Sequence, residues 1–393
     1  MKKNKAWGGG VTYSKGFTLI ELLAVIVILA IIALIATPIV LDIIEDSKNS
    51  SIKRSIELYG KAVENSVAKE QLNGNVVPSG KYTTEDGKIL TNGKTTLKVD
   101  YNGAKTVCDV YVSNEGTVSL KKCNVSDKTI EYTYGNKIYD NGAVVYFDVT
   151  TGKTCNNYTE KNSNTNYNGI NGTGNQNGCL KFYAFNDYGD SKVNLLLDHN
   201  VVAITAFREG DGGTDNLIGP SNIFLKSLKV KTDTWKGTET PTNYSIDLGE
   251  GKAQYQIDYN DYKARIITAH EVAQITGNTE FDELTAITGF CLDSNNVTSS
   301  NTCYYNESMG ISDISGCKYG WLYDRTKPNC TKYGCLNNSD IETYGYWTIS
   351  PSSDIIRTYL VEYKSCLTAG LVDQAHGVAG IRPVIEVLKS NLE

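Results

Sequence analysis

The sequence of 393 residues predicts an α+β protein: a long N-terminal transmembrane helix, a small antiparallel β domain, and a larger disulfide-rich α+β head. Three observations predict this class. Residues 17–41 form an apolar run long enough to span a membrane. Short β-branched segments separated by turn signals follow it. All ten cysteines lie beyond the apolar run, a distribution typical of a compartment in which disulfides form.

A basic leader precedes the apolar run. Residues 1–16 contain four lysines and no acidic residue, which favours a cytoplasmic N-terminus and an outward-facing remainder. Glu21 lies inside the run, where an ionised side chain costs about 2.5 to 3.5 kcal/mol unless a partner compensates it. A secretory signal peptide would have a shorter apolar core with the cleavage site after it. A plain uncleaved anchor would leave Gly16 and Glu21 unexplained.

The segment Lys15-Gly-Phe-Thr-Leu-Ile-Glu-Leu22 resembles the N-terminal signal of type IV pilins and type II secretion pseudopilins. The resemblance implies that a prepilin peptidase and methyltransferase cuts after Gly16 and N-methylates Phe17. It also implies that Glu21 of one subunit meets the Phe17 amine of its neighbour during filament assembly. The partners are then the peptidase, the membrane, and other pilin subunits that pack through their N-terminal helices.

The predicted helix continues beyond the membrane, so that residues 17–74 form a stem about 80 Å long. Apolar residues recur at spacings of three and four along its second half, which places them on one face. These residues are Ile52, Ile56, Tyr59, Val63 and Val67. The stem is expected to stop near Gly74. Pro38 removes one helical hydrogen bond and predicts a kink or local melting.

Residues 75–135 are predicted to form the small β domain of a pilin. The segments 96–99, 106–112 and 117–120 are short and β-branched. They are separated by the turn signals Asn102-Gly103 and Asn114-Glu115-Gly116. Cys108 and Cys123 flank the second turn, so a disulfide between them is expected.

Residues 136–393 are predicted to form the head. A bridge from Cys155 to Cys179 would close the long polar loop of residues 152–178 at its base, although connectivity cannot be deduced from sequence. The remaining cysteines leave several pairings open: Cys291, Cys303, Cys317, Cys330, Cys335 and Cys366. Structural zinc is disfavoured because no paired CxxC motifs occur. The only imidazoles are His199, His270 and His376.

Three segments of the head occur in an order that resembles the formylglycine-generating-enzyme branch of the C-type-lectin-like fold. They are Ala264-Arg-Ile-Ile-Thr-Ala-His-Glu-Val272, Gly345-Tyr-Trp-Thr-Ile-Ser-Pro351 and Gly380-Ile-Arg-Pro-Val-Ile-Glu-Val387. The resemblance implies a helix, an aromatic strand and a closing strand, with binding carried by peripheral loops. Thr268 and Glu271 also form a plausible capping box at the start of that helix.

Neither an active site nor a cofactor is predicted. Enzymes of that branch use a reactive cysteine pair, and Cys330, Cys335 and Cys366 match no such motif. The histidines form no metal-binding pair, no hydrolase elbow is present, and His270 is interpreted as a surface or capping residue. We therefore expect no enzyme activity.

Two further kinds of ligand are considered: calcium, and sugars or peptides that stack on tyrosines. Asp211, Asp215 and Asn216 could supply oxygen ligands for calcium, but their spacing does not match an EF-hand loop and a solvated turn is the preferred interpretation. The 26 tyrosines could stack on sugars or peptides, but many must supply core volume in a chain with eight phenylalanines.

The formal net charge of −6 becomes more negative once the leader is removed, which disfavours direct nucleic-acid binding. The sequence predicts a single-pass membrane protein with an extracellular head that enters a surface filament after processing. We expect a minor or tip pilin whose head is adhesive and binds a glycan or a protein. One alternative is a pseudopilin of a type II secretion or competence DNA-uptake system. Another is a membrane-anchored surface enzyme or receptor.

Overall fold

The computed structural model describes residues 18–158, 178–204, 222–248, 255–278, 280–286, 289–293, 317–323, 343–352, 357–362, 365–371 and 378–393. The chain forms a long helix, a four-stranded sheet packed on the second half of that helix, and a head built on two six-stranded sheets.

The stem helix α1 spans Leu19–Leu72, which confirms a single N-terminal helix of the predicted length. It ends at Asn73, and Gly74 follows in the left-handed region with φ of +80°, as is common after a helix. The helix continues through Pro38, so the local melting expected there is not seen. The kink stays a prediction.

The second half of α1 buries one face, as the spacing predicted. Its buried residues are Ile52, Ile56, Tyr59, Gly60, Val63 and Val67. Gly60 was not foreseen in this set. A Cβ atom at Gly60 would lie 2.4 Å from Cε1 of Tyr134, so only glycine allows the ring to approach the helix backbone this closely.

Six short strands follow the stem. They are β1 Gly80–Tyr82, β2 Ile89–Thr91, β3 Thr96–Lys98, β4 Thr106–Val112, β5 Val118–Val125 and β6 Lys128–Ile130. Four of them form an antiparallel sheet in the order β1-β4-β5-β6, here called the stem sheet. Strands β2 and β3 pair separately. The stem sheet and α1 share one apolar core.

The two turn signals of this domain have different outcomes. Asn114-Glu115-Gly116 connects the paired strands β4 and β5, as predicted. Asn102-Gly103 joins no paired strands, because β3 pairs back with β2. The side chain of Asn92 closes that hairpin by accepting from the backbone amides of Lys94 and Thr95. A local side-chain-to-backbone turn thus supports the pairing of β3 with β2.

The head contains fourteen strands among its described residues. Its elements are β7 Val144–Asp148, β8 Lys153–Thr154, β9 Cys179–Phe185, β10 Lys192–Leu197, β11 Val202–Ile204, α2 Asn222–Thr232, β12 Tyr244–Ile246, β13 Tyr255–Ile257, β14 Arg265–Ile266, α3 Ala269–Thr276, β15 Phe290–Cys291, α4 Gly320–Tyr323, β16 Thr343–Pro351, β17 Arg357–Glu362, β18 Cys366–Leu371, β19 Val378–Ile381, β20 Pro383–Leu388 and a final 3-10 helix Lys389–Asn391.

These strands form two six-stranded sheets and one separate hairpin. The first head sheet is antiparallel, in the order β14-β20-β10-β9-β7-β8. The second has the order β11-β19-β16-β17-β18-β15, with β16 and β19 parallel. Strands β12 and β13 pair with each other. The head is therefore α+β, and its likeness to the C-type-lectin-like fold stays a prediction.

The predicted closing strand is two strands in different sheets, which corrects the interpretation of residues 380–387. The chain leaves the second head sheet after Ile381 and enters the first at Pro383. Between them, the buried guanidinium of Arg382 donates to the carbonyls of Leu197, Leu322 and Trp321. Because these carbonyls belong to β10 of the first head sheet and to α4, Arg382 ties the crossing point to both elements.

Three disulfides lie within the described residues. Cys108–Cys123 and Cys155–Cys179 confirm the two predicted pairs. The third, Cys291–Cys366, comes from the set left open and ties β15 to β18. Cys366 is therefore not a free thiol. Cys317 is also disulfide-bonded, whereas Cys303, Cys330 and Cys335 lie outside the described residues.

The turn between β4 and β5 joins the stem sheet to the head. The backbone amide of Asn114 donates to Asp190 at 3.0 Å, and Ser191 Oγ donates to Glu115 at 3.0 Å. Thr117 Oγ1 donates to the Gly189 carbonyl at 3.2 Å. The loop before β10 is therefore held against the stem sheet by polar contacts.

We expect Gly60→Ala to destabilise the protein by about 1 to 3 kcal/mol, because the new methyl group overlaps the Tyr134 ring. Chemical denaturation of the full chain in detergent, followed by tryptophan fluorescence, measures this change. The matched control is Gly60→Ala in a Tyr134→Ala background. Without the ring, alanine should equal or exceed glycine, since its helix propensity is better by about 1 kcal/mol. An equal loss in both backgrounds would exclude the ring contact as the cause.

Candidate functional site

The N-terminal end of the stem is organised by a capping box. Thr18 is the N-cap, and its side chain accepts from the backbone amide of Glu21 at 3.3 Å. In return, Glu21 Oε2 accepts from the backbone amide and the hydroxyl of Thr18, each at 2.9 Å. The Thr-x-x-Glu pattern was visible in the sequence, but its capping role was missed.

The carboxylate of Glu21 has an acceptor oxygen left over. All its hydrogen bonds in the described chain use Oε2, and the residue is exposed. Glu21 can therefore cap its own helix and still face a cation from a neighbouring molecule. Gly16 and Phe17, the predicted processing residues, lie outside the described residues.

The first half of the stem exposes an apolar surface on all sides. From Leu19 at 85% exposure to Ile44 at 43%, its large aliphatic side chains are open. Among the described helices, only α1 contains a segment long and apolar enough to cross a membrane. A soluble surface rarely exposes so large an apolar patch, so this half needs lipid or other helices around it.

A cleft of about 600 Å³ lies where the stem sheet meets the head. The turn between β4 and β5 contributes Asn114 and Glu115, and the head contributes β12, the first turn of α3 and part of β20. A cavity of this size suits a small ligand or a side chain of a larger one. The sequence did not predict this cleft, because it forms from segments far apart in the chain.

A buried charged network forms one wall of the cleft. Arg265 donates to both carboxylate oxygens of Glu271, at 2.7 and 2.9 Å, and to Glu386 at 2.9 Å. Burial opposes the charge, but the two carboxylates raise the pKa of Arg265 above its usual range. Glu386 also accepts from Thr242. Both carboxylates bond the one guanidinium, and the backbone amides of Thr242 and Thr268 donate to Glu386 and Glu271 as well. The network therefore fixes α3 against β20 and is structural.

The segment after α3 presents a different carboxylate. Glu283 is 8% exposed, and its Oε1 accepts from the hydroxyl of Tyr244 at 2.9 Å. Its Oε2 has no hydrogen-bond partner among the described residues. Burial raises the pKa of Glu283 above its ordinary value, although the neighbouring polar groups of Ser350, Tyr244 and His270 oppose the rise. Glu283 and Tyr244 carry no sequence motif, which explains why they were not foreseen.

The predicted helix around His270 is confirmed as α3, with Thr268 as N-cap and a complete capping box to Glu271. The His270 side chain is exposed and borders the cleft, as expected for a surface residue. His199 is buried, and His376 lies outside the described residues.

The part of the chain that the structure describes contains no candidate site for zinc or calcium. No group of three or more His, Cys, Asp or Glu side chains there is placed to hold a metal ion. The weak calcium candidates Asp211, Asp215 and Asn216 lie outside that part.

Many tyrosines are core residues, as the low phenylalanine content indicated. The largest fully buried side chains include Tyr59, Tyr82, Tyr255, Tyr259, Tyr323, Tyr346 and Tyr359. Trp347 is also buried, and Trp321 packs on Tyr183 with ring centroids 5.3 Å apart. Much of the tyrosine-rich region of residues 303–346 lies outside the described residues. Sugar stacking there stays a prediction.

Comparison with known proteins adds two findings. A family model described as the prokaryotic N-terminal methylation motif matches residues 12–37. The fimbrial protein of Moraxella nonliquefaciens is 31% identical over 147 residues, which cover 36% of this chain and 89% of that protein. No solved structure matches the chain significantly. The similarity thus spans nearly all of a fimbrial protein and little more than a third of this chain.

We expect Glu283→Gln to change how stability depends on pH. The folded pKa of Glu283 lies above its ordinary value of 4.5, so the native state binds a proton that the unfolded state releases. Stability should therefore fall as pH rises from 4.5 through the folded pKa. The glutamine variant should lose this fall and be relatively more stable above it.

Thermal unfolding midpoints of the full chain between pH 4 and 8 test the expectation. Glu280→Gln is the matched control, because Glu280 is three residues away and exposed. Parallel pH profiles for wild type and Glu283→Gln would contradict the burial argument.

Proposed function

We propose that this chain, which belongs to the family of fimbrial proteins with the prokaryotic N-terminal methylation motif, is a minor or tip subunit of a type IV pilus-like filament. Membership in this family supports the role of a pilin-like structural subunit, which is processed by prepilin peptidase and assembles with other pilins. In the proposal, cleavage follows Gly16, Phe17 is methylated, and the head binds a ligand on a surface without catalysing a reaction.

The observation that carries the proposal is the division of α1 into two environments. Its first half exposes apolar side chains around the whole helix, whereas its second half is covered by the stem sheet on one face. A helix with this division is suited to lie in the membrane before assembly and among other stems afterwards. The same surface can serve both states, because lipid and neighbouring apolar helices both exclude water.

The width of the head supports a minor or tip position. Packed helices lie about 8 to 10 Å apart. A sheet of six strands spaced about 4.8 Å apart is about 24 Å wide, and the head has two such sheets. Such heads on every stem would crowd a filament whose core is built from closely packed helices. A subunit present once, or rarely, avoids this conflict.

The cleft beside Glu283 supports a binding role for the head. It is lined by residues of the turn between β4 and β5 and of the head, and its lining carries several charged and aromatic side chains, among them Glu283, His270 and Tyr244. The proposed ligand class is a glycan or a protein on another surface.

We expect Glu21→Gln to prevent filament incorporation while leaving membrane insertion intact. In the proposal, the Glu21 charge pairs with the Phe17 amine of a neighbouring subunit. Glutamine can keep the capping box but not the charge, so this substitution separates the two roles of the residue. The amount of the chain in sheared filaments, relative to membranes, measures incorporation.

The matched control is Thr18→Ala, which removes the cap and keeps the charge. It should incorporate, with a cost limited to helix stability of about 0.5 to 2 kcal/mol. The wild-type chain should also be scarce in sheared filaments compared with their most abundant pilin. Normal incorporation of Glu21→Gln would overturn the proposed role of the Glu21 charge. Wild-type chain in amounts equal to those of the most abundant pilin would overturn the minor or tip position.

A further inference from the structure

We propose that a second cleft, between the small β domain and the head, binds a glycan whose sugars carry carboxylate groups. This inference rests on the proposed ligand-binding function of the head and names the class of ligand. It places that ligand in a different cleft from the one that Glu283 lines.

The second cleft has a volume of about 740 Å³, which is in the range of small-molecule sites. The β domain contributes residues of β1, of the turn between β2 and β3, and of β4 and β5. The head contributes the segment before β7, the loop after β9, much of α3, and the residues before α4. The two clefts adjoin, since Ser79, Tyr188, His270 and Gln274 line both.

The two carboxylates that line the second cleft are already paired. Asp140 lies 2.8 Å from Lys121, and Asp187 lies 2.8 Å from Lys389. Neither of these lysines lines the cleft itself. The negative charges of the lining are therefore compensated by cations that stand behind it.

Most lysines of the lining, by contrast, are not compensated. Lys81 lies 2.9 Å from Asp109. The others are exposed and form no ion pair among the described residues: Lys94, Lys122 and Lys318. Nζ of Lys318 lies 4.8 Å from the ring centroid of Tyr319, a contact that orients the ammonium group without neutralising it. The cleft therefore attracts an anion.

Lys122 occupies its place against the preference of the backbone. The pairing of β4 with β5 shifts register between Val107 and Asp109, and Lys122 lies in the resulting bulge with φ of +53°. Lysine rarely adopts this left-handed region. The backbone alone would favour glycine here, so the presence of a lysine supports a role for its side chain.

The amide side chains of the lining leave donors available. Asn92 Oδ1 accepts from two backbone amides of its own turn, and Asn141 Oδ1 accepts from the backbone amide of Asn186 at 2.8 Å. Gln274 Oε1 accepts from Asn186 Nδ2 at 3.2 Å. The oxygens are thus used inside the protein, and each NH₂ group can donate to a ligand oxygen.

The last carbonyls of α3, which border the cleft, are also used inside the protein. The Gln274 carbonyl accepts from the Gly277 amide at 3.3 Å, and the Ala273 carbonyl accepts from the Asn278 amide at 2.9 Å. Together with the lysines and the amide groups, these bonds give the cleft more open donors than open acceptors. Such a site suits a ligand that is rich in oxygen and carries negative charge.

An acidic glycan combines the features that the cleft can bind. Its carboxylates would pair with the lysines, and its hydroxyl and ring oxygens would accept from the amide groups. Tyr139, Tyr188 and Phe281 line the cleft and are partly exposed, so they offer aromatic surface to the apolar faces of sugar rings. The acidic side chains of a peptide carry no ring to cover this surface.

The position of α3 favours carboxylates over phosphate groups on the sugar. The C-terminal end of this helix lines the cleft, and the negative end of a helix dipole opposes anions. A phosphate group of nearly two charges is opposed more strongly than a carboxylate of one.

Isothermal titration calorimetry with the full-length chain in detergent tests the proposal. The probes are trigalacturonate, trimannuronate and a hyaluronan tetrasaccharide, each also as its carboxyl methyl ester. At least one acidic oligosaccharide should bind wild type. Its methyl ester should bind about tenfold or more weakly, as expected for the loss of hydrogen bonds to a charged group. Acetyl-triglutamate amide, which has as many side-chain carboxylates as the trisaccharides, should bind more weakly than that oligosaccharide.

Variants of the exposed lysines locate the binding. Lys122→Gly and Lys318→Gln should each weaken it about two- to fivefold, as expected for exposed ion pairs. Lys122→Gly should also keep or raise the thermal unfolding midpoint, because glycine adopts a positive φ without strain. Changing Lys94, Lys122 and Lys318 to glutamine together should weaken binding about tenfold or more. Lys128→Gln is the matched control, since Lys128 is exposed on β6 and lines neither cleft, and it should leave binding unchanged.

Three results would overturn the proposal. The first is no binding of any acidic oligosaccharide by wild type, or equal binding of each and its methyl ester, and this result does not depend on a variant that folds. Stronger binding of acetyl-triglutamate amide than of every oligosaccharide would overturn the assignment to a glycan. Unchanged binding by the triple lysine variant would overturn the assignment to this cleft.

The same probes separate this inference from the proposed function. Filaments that contain the wild-type chain, together with no oligosaccharide binding, would overturn the glycan site and leave the pilin role standing. Oligosaccharide binding by a chain that never enters filaments would support the glycan site and overturn the filament role.

Discussion

The contact between the buried stripe of the stem and the stem sheet is the interaction on which the rest of the structure depends. The stripe runs from Ile52 to Val67, and it is the only stretch of α1 where the described chain covers the helix. A small four-stranded sheet needs such a partner to bury its apolar face, and Gly60 lets Tyr134 close the contact. N-terminal to this stripe, no described part of the chain covers the helix. One helix therefore serves two environments, and the boundary between them lies in its own sequence.

The head depends on that contact indirectly, through polar links to the turn between β4 and β5. Asn114, Glu115 and Thr117 bond to the loop of residues 189–191, which leads into the first head sheet. Within the head, Arg382 fixes the crossing between the two sheets, and Arg265 holds α3 to β20. The cleft forms where these supports meet. Its walls are therefore set in part by buried charged side chains, among them Arg265, Glu283 and Glu386.

The sequence predicted those parts of the molecule that follow from local patterns. Helical spacing identified the buried face of the stem, the two turn-flanking cysteines identified the first disulfide, and Thr268 with Glu271 identified the start of α3. The prediction was wrong for β3, which pairs with β2 across a local turn at Asn92 that the sequence analysis did not use. It was also wrong for residues 380–387, which divide between two sheets at Arg382, where the contacts are with the distant residues Leu197, Leu322 and Trp321. Glu283 and Tyr244 meet across 39 residues, and no local pattern could have joined them.

The central claim is that the exposed half of α1 is the stem of a processed and assembled filament subunit. Mass spectrometry of the N-terminal peptide, from sheared surface filaments and separately from membranes, tests this claim most directly. The account predicts an N-methylated Phe17 terminus in the sheared fraction. An intact Met1 terminus found only in membranes would contradict it, because the chain would then be a tethered surface protein whose apolar helix serves as an anchor alone.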